Sequence, residues 1–90
     1  MQRFLIERNI DGAGSMSRQA LAEATRHSNE VLDELGPEIN WEHSYVAGDR
    51  IYCVYSAPSE DLIREHASRA GFPADRITPV AAEIGPGFRA

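Results

Sequence analysis

Apolar and polar residues alternate with a period of two from Arg3 to Ile10. Phe4 and Ile6 fall on one side and Leu5 and Glu7 on the other, which predicts a first strand over residues 3–10. Asp11-Gly12-Ala13-Gly14-Ser15 breaks that period with two glycines and reads as a flexible loop and nothing more. From Ser17 the spacing changes to three and four. Leu21, Ala24, Ser28, Val31, Leu32 and Leu35 form one stripe, predicting a helix capped by Ser17 and running to Leu35. Gly36-Pro37 ends it, since glycine accepts a left-handed turn and proline refuses further helix.

Residues 39–47 and 50–56 are rich in aromatic and β-branched side chains and flank Gly48-Asp49, where glycine in first place suits a two-residue type II′ hairpin turn. Residue pairs across such a hairpin sum to 97, so His43 faces Val54 and Ser44 faces Cys53. His43 then shares a sheet face with Trp41, Tyr45 and Tyr52, and Cys53 shares the other with Val46, Ile51 and Tyr55. A second helix starts at Pro58-Ser59-Glu60-Asp61, where Ser59 can cap and the acids complement the helix dipole. It buries Leu62, Ile63, Ala67 and Ala70 and stops at Gly71, with Phe72 placed for the apolar contact of a Schellman ending. Residues 77–84 read as a last strand, held to a sheet edge by Pro79, and residues 85–90 as a tail.

The order βαββαβ predicts an α+β, ferredoxin-like sandwich: an antiparallel sheet with both helices on one face, in a single domain over residues 1–84. With aromatics on both faces of the hairpin, the face away from the helices is expected to be covered by a second copy, giving a homodimer.

Composition narrows the partners. The chain of 90 residues has nine arginines, no lysine and fourteen carboxylates, for a formal charge of -5. That surface repels phosphate backbones and anionic headgroups, so neither nucleic acid nor membrane is expected as a partner, whereas cations are attracted. A single cysteine forms no internal disulfide, and the N-terminus is broken by charge after three apolar residues. A cytoplasmic protein is expected.

Three groups of residues could carry chemistry. His43 lies among aromatics on a sheet face. His66 falls near the centre of the second helix's apolar stripe, so it points at the sheet; its ordinary role is a buried imidazole satisfied by a carbonyl or by a carboxylate such as Glu7. On the first helix Glu23, His27, Glu30 and Glu34 share one flank, where imidazole and carboxylate one turn apart can chelate a divalent ion or simply form a solvated acidic face. Catalytic signatures such as GxSxG, HExxH or a P-loop are absent. An isomerase-like enzyme using His66 as acid–base in a pocket between helix and sheet, walled by Trp41, Tyr45 or Tyr55, is the competing reading. Cys53 reads as buried packing.

The segments W-x-H-S-Y-V from Trp41, Y-C-V-Y-x-A-P from Tyr52 and I-R-E-H-A-x-x-A-G-F-P-A-D-R-I from Ile63 closely resemble a family of small bacterial proteins of unknown function named after a streptomycete nickel-binding member. Phe4-Leu5-Ile6-Glu7-Arg8 resembles that family's first strand, and Glu42 stands where its pattern usually has an apolar residue. The resemblance implies a ferredoxin-like dimer that binds divalent nickel at surface sites, with a proposed role in sequestration; the function expected here is binding of nickel, or another divalent transition metal, by imidazole and carboxylate groups without catalysis. The resemblance adds Glu65 to His43 and His66 as candidate ligands, beside His27 and Glu23.

Overall fold

The computed structural model describes residues 1–90. The elements follow in the order β1 (Gln2–Asn9), α1 (Arg18–Leu35), β2 (Asn40–Ala47), β3 (Arg50–Ala57), α2 (Glu60–Ala70) and β4 (Arg76–Pro79), with one 3-10 turn at Ala13–Ser15. The four strands form one sheet in the order β2-β3-β1-β4, every neighbour antiparallel. Both βα units therefore straddle a strand from the other unit, which is the ferredoxin-like arrangement.

The caps explain where the helices stand. Ser17 Oγ accepts the Ala20 N–H at 3.0 Å and opens α1, as the sequence predicts. Ser59 occupies the cap position of α2, but its hydroxyl makes no cap hydrogen bond; Glu60 and Asp61 serve that helix end through the dipole. At the other end Gly71 turns left-handed, with φ 78°, and the Phe72 N–H reaches back to Ala67 O at 3.0 Å, which is the Schellman bond.

Alternation along β1 and β3 delivers Phe4, Ile6, Cys53, Tyr55 and Ala57 to the helix-covered face, where they meet Ile39 and Ile63. Gly48 has φ +60° and Asp49 has none above zero, as a type II′ turn requires. From Ala47 to His43 the hairpin keeps the expected pairing, so Ser44 faces Cys53 and His43 faces Val54. Beyond His43 the register slips by one residue at Glu42. This bulge corrects one expectation: Trp41 is turned away from the face of His43 and stacks on Tyr55, ring centroids 6.3 Å apart at 14°. Its indole N–H donates to Ser44 Oγ at 2.8 Å, and Glu42 takes its place on the open face, where it pairs with Arg3 at 3.2 Å.

Two further expectations change. The last strand covers residues 76–79 and not 77–84, because Pro79 offers no donor and β1 runs out of partners after Val80 N–H bonds Arg3 O; residues 81–90 are exposed. The loop before α1 is also more than a flexible link. Gly14 N–H donates to Gly48 O at 2.6 Å and Gly12 N–H to Asp49 Oδ1 at 3.0 Å, tying the loop to the hairpin turn. A Cβ on Gly14 would lie 2.8 Å from Gly48 O, so only glycine fits there.

Candidate functional site

Beyond Phe4 and Ile6, the third inward position of β1 is Arg8, 3% exposed. Here the two layers part. The first turns of α1 contribute Leu21, Ala24, Thr25 and Ser28, which stand away from Ile51, Cys53 and Tyr55 on β3 and leave a cleft of about 440 Å³. Ile10 and Met16 from the tied-down loop and Val46 from the hairpin wall one side; Phe72 and Pro73, after α2, wall the other. A volume in this range suits a small organic molecule.

Arg8 is the one charged side chain on that wall, and none of the fourteen carboxylates reaches it. Its Nη1 donates to Pro73 O at 2.6 Å, and its Cζ lies 5.9 Å from the Tyr55 ring centre and 5.8 Å from that of Phe72. Arg8 Nη2 is buried with no protein partner, and the guanidinium forms no ion pair. Arg8 is not among the sequence-based candidates, although period-two alternation in Phe4-Leu5-Ile6-Glu7-Arg8 carries the signal that places it inward.

His66 is fully buried behind this wall. Its Nε2 lies 3.2 Å from Ser28 Oγ, its ring 5.5 Å from that of Tyr55, and its Nδ1 has no protein partner. Burial first, and then the Arg8 charge, hold its pKa below the ordinary 6.5, so the ring is neutral at pH 7. The expected orientation toward the sheet is found, but the partner is Ser28; Glu7 lies on the opposite sheet face, facing Arg76 and Tyr52. Burial raises the Tyr55 phenol above its ordinary 10.0, so it stays protonated. The pocket envisaged between helix and sheet is thus present, walled by Trp41 and Tyr55. Tyr45 points away from it, 65% exposed, and His66 meets it only through Ser28 and Tyr55.

The proposed metal ligands are dispersed. His43 is exposed on the open face, its ring edge-on to Tyr45 at 5.3 Å, with the sheet between it and His66. Cys53 is buried on the helix-covered face, so it and His43 point to opposite sides as the hairpin count requires. Glu65 is exposed on α2 and ion-pairs with Arg69 at 2.6 Å. His27 lies on the outer flank of α1, where its Nε2 is 3.0 Å from Ala70 O and its ring meets Phe72 edge-on. A carbonyl can only accept, so Nε2 carries a proton and, in the neutral ring, Nδ1 carries the lone pair. Of the carboxylates one turn away, Glu30 is held by Arg26 at 3.0 Å, while Glu23 forms no ion pair. No three His, Cys, Asp or Glu side chains of the chain converge on a common point.

No helix is long and apolar enough to cross a membrane. A search of curated proteins returns no match. Among solved structures, the chain is similar to the crystal structure of SCO4226 from Streptomyces coelicolor A3(2), with TM-score 0.74 and 24% identity over 91% of this chain and 99% of that one. That likeness carries the ferredoxin-like fold. A family model described as nickel responsive protein SCO4226-like matches residues 4–80, nearly the whole of the sheet and both helices, and the chain belongs to that family.

Proposed function

We propose that this protein binds divalent nickel at its surface, without catalysis, in a sequestration or homeostatic role; the description of its family as nickel responsive supports the choice of metal. The observation that carries the reading is His27. Its Nε2–H is held by the Ala70 carbonyl, which leaves Nδ1 as a fixed lone pair, the pattern of a metal-ligating imidazole. Glu23, one turn earlier and free of ion pairs, supplies a carboxylate on the same flank. One nitrogen and one carboxylate, completed by water, fit a hydrated octahedral ion. His43 is the second exposed imidazole; its neighbour Glu42 is held by Ser56 and Arg3, so it brings a ring without a free carboxylate. Buried His66 has no surface role in this scheme, and Glu65 binds only by releasing Arg69.

The open face supports pairing with a second copy. Half-buried Leu5, Tyr52 and Val54 lie on it beside exposed Tyr45 and His43. A dimer formed there gathers two His43 rings at one interface.

Calorimetry with Ni²⁺, Co²⁺ and Mg²⁺ tests the metal. Nickel is expected above cobalt, with magnesium far weaker. His27→Ala is expected to weaken nickel binding roughly tenfold, His43→Ala less, and His66→Ala not at all. Affinity unchanged in a variant lacking both His27 and His43 overturns the assignment. Sedimentation checks the dimer: Tyr45→Arg should yield monomer at micromolar concentration.

A further inference from the structure

We propose that the cleft between α1 and the β2–β3 hairpin binds a small organic monoanion with an apolar body, an aryl or short-chain carboxylate, with Arg8 as its charge partner. This is independent of metal binding, since no residue of the cleft is a proposed ligand.

Two separate observations lead there. First, Arg8 is a buried guanidinium with one nitrogen lacking any protein partner and no carboxylate in reach. A buried charge without a counter-charge is costly, and structural arginines in cores are ordinarily paired. The Tyr55 and Phe72 rings and the Pro73 carbonyl accommodate this one in part, but none supplies a full negative charge. Second, the remaining wall is apolar or neutral: Ile10, Met16, Leu21, Val46 and Ile51 line the body of the cleft. In a chain of net charge -5, a concave surface with one cation and no acid is a local inversion of sign.

Low-dielectric walls make such a charge act strongly on whatever enters. An anion seated against the Arg8 side of the cleft is attracted, a cation is repelled, and the apolar body is recognised by area buried. The hydroxyls of Thr25, Ser28, Ser44 and Tyr55 and the Cys53 thiol are neutral, so the wall offers no second charged group and no carboxylate to a cation. These features select one negative charge on a hydrophobic frame over a sugar, a nucleotide or a polyanion.

Titration of the full chain in EDTA with 4-phenylbutyrate, 4-phenylbutanol and 4-phenylbutylammonium, followed by amide chemical shifts, tests this. The acid should bind about tenfold or more tightly than the alcohol, the cation weakest, and the shifts should centre on Ile51, Cys53 and Phe72. Acetate, with charge but no body, should bind far more weakly than the acid. Arg8→Met should bring acid and alcohol to equal affinity. Should that variant fail to fold, Leu21→Trp fills the cleft with Arg8 in place and should abolish binding of all three ligands. Equal affinity for acid and alcohol in the unmodified chain overturns the proposal. So does the absence of saturable binding, or shifts confined to the open face around His43.

Discussion

At one end of the sandwich Phe4, Ile6, Ile39, Ala57 and Ile63 close on one another under α2, and each is at most 5% exposed. At the other end the same faces of β1 and β3 continue through Arg8 and Ile51, yet α1 stands off and a cleft remains. Both ends have the same strand alternation, and each is faced by the apolar stripe of a helix, α2 at the closed end and α1 at the cleft. They differ in what fills the inward positions and in how the covering chain is anchored. The closed end is packed by aliphatic side chains. The cleft end is held open by a loop hydrogen-bonded to the hairpin turn and carries a cation that packing alone does not satisfy. A short domain can thus close one half of its core and leave an open cleft in the other.

That contrast can be broken by truncation. Ile63→Ala removes a fully buried side chain at the closed end and should cost about 3 kcal/mol in urea unfolding. Leu21→Ala, on the half-buried cleft wall, should cost about 1 kcal/mol or less, because its surroundings already stand open. Equal losses would mean that the cleft end is packed as tightly as the other. Next in size is Gly14→Ala, which sets a Cβ against the Gly48 carbonyl and should lose about 2 kcal/mol by the same assay. A neutral result there would separate the cleft's shape from the loop–hairpin tie.

The helix starts sharpen the comparison at smaller cost. Ser17→Ala, at the cleft end, loses a formed cap and should cost about 1 kcal/mol, whereas Ser59→Ala, with no cap bond to lose, should cost only a few tenths. The last effect is absent at neutral pH. The His66 pKa in the folded chain lies below the unfolded 6.5, so the unfolded chain binds the proton first. Stability is therefore intact above pH 6.5 and declines as pH falls toward the lower folded value. A His66→Gln variant should show a flatter denaturation midpoint between pH 7 and about pH 5 than the unmodified chain. A matching slope would assign the acid sensitivity to other groups.

The sequence alone determined the element order, the Ser17 cap, the Schellman ending at Gly71-Phe72, the type II′ turn and the opposite facing of His43 and Cys53. Each is a local consequence of period, cap chemistry or glycine conformation, and local signals suffice for them. The inward orientation of His66 was likewise legible from helical phase, and that of Arg8 was available from strand alternation. Tertiary structure decided the rest. Only the bulge at Glu42 turns Trp41 onto Tyr55, because a one-residue slip depends on where the partner strand stops accepting a regular ladder. Only the packing of α1 against α2 brings Ser28 to His66 and the Ala70 carbonyl to His27, residues more than thirty-five positions apart. The cleft is the clearest case: its walls come from β1, a loop, a helix, a hairpin and a post-helix turn, and its volume is set by the distance between layers. No one-dimensional pattern carries that distance, because it results from the sum of side-chain volumes that meet only after the chain has folded.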